Sequence, residues 1–166
     1  DLGGGKNRLG GSILAQVFSK FGNVCPDVDS AVRLKDFFSA IQNLNALGLI
    51  LAYHDRSDGG LFAAVAEMAF AGHCGVTLSL DGLVFEQWTD DVDGFKRSSE
   101  EQLAGRLRER ALQLLFAEEL GAVLQIRACD RTRVMDLLRS CGIGAIAHLI
   151  GNINSRDEIV FTRDAK

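Results

Sequence analysis

The chain has 166 residues, 47% of them hydrophobic and 24% charged, with a formal net charge of −4. That balance excludes an intrinsically disordered polymer, and the length suits one domain around one ordinary core. No apolar run reaches the roughly 20 residues of a membrane span, and an acidic chain without clustered Lys and Arg argues against a nucleic-acid footprint.

Residues 1–11 are rich in glycine. Ile13, Leu14, Val17, Phe18 and Phe21 then recur at helical spacing, with Gly22 as a stop. A second helix is predicted from Ser30 to Leu47, its apolar face carrying Leu34, Phe37, Phe38, Ile41 and Leu44, with Gly48 at the C-terminal cap. Leu49 to Tyr53 reads as a buried strand. His54-Asp55-Arg56-Ser57-Asp58-Gly59-Gly60 follows as a turn, then a helix from Leu61 to Ala71 closed by Gly72. Gly75 to Leu80 alternates as a strand does. Residues 83–97 read as an irregular acidic loop around Trp88, in a window (81–101) that carries −5 and reads as a solvated surface segment. Ser98 with Glu101 fits a capping box for a helix through Leu103, Leu107, Leu114 and Leu115.

Gly121 to Arg127 is a further predicted strand, and Asp130 is expected to cap a helix through Val134, Leu137 and Leu138. Ala147–Ile150 and Glu158–Thr162 read as two closing strands joined by a turn at Asn154-Ser155-Arg156-Asp157. Helices and strands mix without strict alternation. The predicted class is therefore α+β, a mixed sheet with helices packed on one face. The chain opens on Asp1 and stops at Lys166 straight after a strand-like run, so residues 1–166 are expected to be one domain cut from a longer chain.

The four cysteines (Cys25, Cys74, Cys129, Cys141) match no zinc spacing and are expected to be buried, reduced thiols of a cytosolic protein. Gly3-Gly4-Gly5-Lys6 fails the phosphate-loop pattern, because the preceding Gly is missing and Asn7 follows the Lys.

Residues 53–60 carry the strongest local signal. A strand ends, carboxylates and a hydroxyl cluster, two glycines turn the chain, and a helix begins. Amides at a helix start attract anions, and a carboxylate beside a phosphate requires a divalent cation between them. Asp55 is thus suited to hold a metal and Ser57 to contact a phosphate, while Asp58 is a candidate helix cap. An ordinary capped turn explains the same residues equally well. His54, Asp55 and Ser57 are too close in sequence for a nucleophile–base–orienter triad. Glu67 and Met68 read as structural. The pair Glu118-Glu119 has the residue types for acid/base work, though a solvated helix end is the plainer reading.

Three segments carry a resemblance. They are Gly5-Lys6-Asn7-Arg8-Leu9-Gly10-Gly11-Ser12, the run from Tyr53-His54-Asp55-Arg56-Ser57-Asp58-Gly59-Gly60-Leu61 through Cys74-Gly75, and Phe116-Ala117-Glu118-Glu119-Leu120-Gly121-Ala122-Val123. The chain resembles the C-terminal-type domain of the aminoimidazole ribonucleotide synthetase superfamily, and within it the large phosphoribosylformylglycinamidine synthases. The resemblance runs from about Asp1 to Thr162, with residues 83–98 as an acidic insertion. It implies a cytoplasmic purine-biosynthesis amidoligase that uses ATP, Mg²⁺ and glutamine. It implies that Asp55 binds Mg²⁺ and Ser57 binds ATP or ADP, with no catalytic residue in this piece. It also implies companion synthetase and glutaminase domains that complete the site, so that the piece alone is inactive. Other enzymes of the superfamily and a non-catalytic assembly module are the alternatives.

Overall fold

The structure is a computed structural model that describes residues 1–22, 24–81, 83 and 100–162. The acidic insertion at 83–98 and the Ser98 capping box therefore lie, but for Leu83, outside the described residues.

Ser12 caps the first helix, α1 (Ile13–Val17), by accepting the Ala15 N–H. This helix is shorter than its apolar spacing predicts. Ser19 takes a left-handed φ of 53°, and the Lys20 N–H returns to the Ala15 carbonyl. Val17, Phe18 and Phe21 are consequently left exposed. The next helix, α2 (Ala31–Ala46), agrees closely with expectation: Ser30 accepts the Arg33 N–H at its start, and Gly48 turns left-handed just past its end.

Strand β1 (Ala52–Asp55) leads into α3 (Gly60–Gly72) and then β2 (Gly75–Ser79). Gly72 is the last helical residue of α3, and His73 takes the left-handed cap position with φ 47°. The long α4 (Glu100–Phe116) leads to β3 (Ala122–Gln125), and α5 (Arg131–Ser140) follows a 3₁₀ turn at Ala128–Asp130. Asp130 does not cap α5 with its side chain; its carboxylate lies 3.5 Å from the Arg127 guanidinium. The chain closes with β4 (Gly151–Asn154) and β5 (Ile159–Thr162).

The α+β class holds, with the strands divided between two small sheets. Strand β1 pairs antiparallel with β3, Asp55 opposite Ala122. In the other sheet, β2 lies between an antiparallel β4 and a parallel β5. The two closing strands are therefore not a hairpin. β4 begins at Gly151, after the predicted 147–150 run, and β2 separates it from β5. A two-stranded sheet covers only part of its surface, so β1 alternates half-buried and exposed residues where a fully buried strand was expected.

The core has two centres. Ala40 and Leu44 of α2 pack with Val134 and Leu138 of α5 around Leu49 and Ile143. Leu61 and Val65 of α3 pack on Leu78 of β2, beside Leu80 and Leu114. The cysteines are free but none is buried: Cys25 and Cys129 are exposed, and Cys74 and Cys141 are intermediate. Among the described residues, no helix is long and apolar enough to cross a membrane.

Candidate functional site

The turn after β1 is held from below by Arg56. Its backbone N–H donates to the Gly121 carbonyl at 2.8 Å, extending the β1–β3 ladder by one bond. Its buried guanidinium donates to the Ala117 carbonyl at 2.9 Å and the Leu114 carbonyl at 3.1 Å. These carbonyls belong to the end of α4, where the last turn has no intrahelical donors and the dipole is negative. A cation placed there satisfies both. Burial lowers the Arg56 pKa to about 10, which leaves it charged at neutral pH.

With Arg56 pointing inward, its neighbours point outward. Asp55, Ser57 and Asp58 are exposed, and the Asp55 carboxylate is 69% exposed. His54 braces the same turn from the side. Nδ1 lies 2.6 Å from the Asp55 carbonyl and Nε2 lies 2.7 Å from Glu67 Oε2. Both partners are acceptors, so the doubly protonated ring suits them. The bond to the Asp55 carbonyl, followed by Glu67, outweighs burial and raises the His54 pKa. Glu67 thus holds the His54 ring.

The glycine pair serves packing. Gly60 has φ +67°, and a Cβ there would meet the Leu115 carbonyl oxygen at 2.7 Å and that of Ala117 at 2.8 Å. The start of α3 therefore lies directly against the end of α4. The Gly60 N–H donates to the Ser57 carbonyl, and the Gly59 N–H to Glu118 Oε1, each at 2.9 Å. Both amides are therefore already bonded within the chain. Asp58 is likewise not the cap, since Gly59 occupies that position without a side-chain bond.

Glu118 and Glu119 are the second correction. Glu118 Oε1 accepts from Ile13 N–H at 2.8 Å as well as from Gly59, so one carboxylate serves the starts of both α1 and α3. Glu119 is fully buried. It accepts the Arg8 backbone N–H at 2.9 Å, Arg8 Nε at 2.7 Å and Arg8 Nη2 at 2.7 Å. Arg8 continues outward to Asp29, which also pairs with Lys6 at 2.9 Å. This chain of charges ties the N-terminal segment to the α4–β3 junction. Arg8 lay within a quoted motif, but its partner stands 111 positions away and leaves no local trace. Neither carboxylate is a solvated helix end.

Asp55 offers one hard oxygen donor and Ser57 one hydroxyl at an open edge. Among the described residues, no three His, Cys, Asp or Glu side chains converge as a metal cluster would require. Half of a magnesium–nucleotide site fits these residues; a whole one does not.

The fold and this turn define an α+β domain with two carboxylates and a hydroxyl exposed at the end of a strand. The chain belongs to the family of the AIR synthase related protein, C-terminal domain, whose model matches residues 2–164. Among solved structures it is similar to PurLQS from Thermotoga maritima (TM-score 0.55, 16% identity, 82% of this chain and 20% of that one). It is also similar to T. maritima PurL complexed with FGAR (0.51, 15%, 80% and 20%) and complexed with ATP (0.51, 15%, 81% and 21%). At such identity the likeness is one of fold, and this chain spans about a fifth of the length of those structures.

Proposed function

We propose that the chain is a domain of a phosphoribosylformylglycinamidine synthase, an ATP-dependent ligase of purine biosynthesis with glutamine as nitrogen donor. In this reading it contributes Asp55 and Ser57 to a shared Mg²⁺–nucleotide site. The observation that carries the proposal is the pairing of a buried Arg56 with an exposed Asp55 and Ser57 on either side of it. Inward anchoring of the central residue fixes the direction of its two neighbours.

The residues of the chain then have distinct tasks. Asp55 holds the cation from one side, and Ser57 donates to a phosphate oxygen. Arg56, bonded to the end of α4, keeps the turn from shifting when charge arrives, and His54 with Glu67 fixes the Asp55 carbonyl. The cation, when bound, supplies charge compensation to the phosphate. The remaining ligands come from a companion synthetase domain, and ammonia from a glutaminase domain. Exposed apolar side chains support a further domain lying against this one, with Phe18 at 69% and Phe21 at 88% exposure.

The test is Asp55→Asn in the intact parent enzyme. Nucleotide retained in the presence of Mg²⁺ is expected to fall about tenfold or more, with thermal stability unchanged because the carboxylate is exposed. Unchanged Mg²⁺ and nucleotide content after desalting would remove Asp55 from the site.

A further inference from the structure

The glycine-rich entry fails the phosphate-loop pattern, but its backbone does cradle an anion, and that anion belongs to the chain itself. The Gly3 N–H donates to Asp1 Oδ1 at 3.1 Å, and the Gly5 N–H to Asp1 Oδ2 at 2.9 Å. The two amides converge on one carboxylate because the backbone turns left-handed at Gly4 (φ +60°) and Gly5 (φ +81°). Gly3 gives room, since a Cβ there would meet Glu119 Oε2 at 2.5 Å. The Leu2 N–H donates to the Leu120 carbonyl at 2.8 Å, and Arg33 Nη1 donates to the Leu2 carbonyl at 3.2 Å. The α4–β3 junction and α2 therefore both fasten the entry.

The carboxylate so aimed reaches the turn after β1. Asp1 Oδ1 lies 3.4 Å from Arg56 Nη1, and the two side chains are 15% and 6% exposed. Arg56 Nε and Nη2 already donate to the Ala117 and Leu114 carbonyls. Each nitrogen of the guanidinium thus faces a partner, two at the end of α4 and one in the entry. The carbonyls orient the fork, and the carboxylate supplies the opposite charge that a buried guanidinium requires. Asp55 and Ser57 adjoin Arg56 in the chain, so a shift of its backbone moves both.

We infer that Asp1 is a positioning residue for the Asp55–Ser57 turn, an inference that rests on reading that turn as half of a Mg²⁺–nucleotide site. Held by Gly3 and Gly5, its carboxylate sets the place of the Arg56 guanidinium and thereby the spacing of Asp55 and Ser57.

Asp1→Asn in the intact parent enzyme is the test. The variant keeps an oxygen for the glycine amides and removes the charge opposite Arg56. The Mg²⁺ concentration giving half-maximal nucleotide retention is expected to rise about tenfold, the scale on which partners of metal ligands act. Nucleotide retained at saturating Mg²⁺ is expected to match the parent. A merely structural role would lower that plateau and leave the half-maximal concentration in place. Hydrogen exchange of residues 56–60 is expected to quicken while that of α5 stays unchanged. Asp1→Glu keeps the charge but displaces it by a methylene; a smaller rise of the same sign is expected, and it serves where Asp1→Asn does not fold. Asp55→Asn is measured beside them. A half-maximal concentration raised by Asp55→Asn but unmoved by the Asp1 variant that folds would overturn the inference, as would a rise without quicker 56–60 exchange. Where neither position moves it, the magnesium reading fails and exchange decides for Asp1. Quicker 56–60 exchange then supports its hold on the turn, and unchanged exchange overturns it.

Discussion

Glu119→Ala is expected to lower the stability of the domain by about 3–5 kcal/mol, read as a drop in the urea midpoint at constant slope. Glu119 is fully buried and accepts three hydrogen bonds from Arg8. Its removal strands a guanidinium that is 11% exposed, with Asp29 and the Asp27 carbonyl left to it among the described residues. Against a typical total of about 5–15 kcal/mol, such a loss brings the domain close to unfolding. Glu118→Ala removes an acceptor from two exposed or half-buried amides and is expected to cost less, about 1–2 kcal/mol. A Glu119→Ala loss below that of Glu118→Ala would show that the buried pair contributes little.

The same pair sets an acid limit. Burial alone would raise the Glu119 pKa, but the side-chain and backbone bonds from Arg8 outweigh it, and the net shift is downward from the ordinary 4.5. A carboxylate whose folded pKa is depressed contributes stability that is present above its unfolded pKa and lost as pH falls through the folded one. The urea midpoint is therefore expected to fall on acidification below the ordinary carboxylate range, with a shallower fall in Glu119→Gln. Identical acid limbs in the two proteins would assign the acid lability to other groups.

Gly60→Ala is the second large effect, expected at about 2–5 kcal/mol. The residue has φ +67°, which costs an L side chain about 1–2 kcal/mol, and overpacking adds about 1–3 kcal/mol. The clash is with backbone at Leu115, Phe116 and Ala117, so no rotamer change relieves it. Gly48→Ala separates the two contributions. Its φ of +63° is nearly the same, but an added Cβ meets nothing within 4 Å, and its expected cost is only about 1–2 kcal/mol. Equal urea midpoints for the two variants would refute the close approach of α3 to α4. Because Gly60 adjoins the Asp55 turn, Gly60→Ala is also expected to weaken nucleotide retention in the parent enzyme, an effect Gly48→Ala does not share.

Much of the fold was legible where one segment carries its own signal. Helix α2 is the clearest case: Ser30 opens it, Leu44 faces the core, and Gly48 closes it. The turn at 53–60 was also legible as the link between a strand and a helix. Arg56 drew no reading from the sequence, although it holds the turn. Asp130 shows the limit of cap patterns, since a nearby Arg127 competes for its carboxylate. In α1 the apolar spacing overstated the helix, because the return bond of Lys20 to Ala15 turns the chain before Phe21.

The sequence by itself determined the class of the domain, the order of its elements and the segments of family likeness. These follow from local periodicity, caps and short motifs, which act within a few residues. Only the tertiary structure decided that β2 runs between β4 and β5, that Glu119 is buried against Arg8, and that Glu118 occupies the amides of Gly59 and Ile13. Each of these joins groups dozens of residues apart, up to 111 for Glu119 and Arg8. A carboxylate in a helix-end segment reads the same whether it meets water or a buried guanidinium. The difference in desolvation and charge pairing arises only when distant segments pack together.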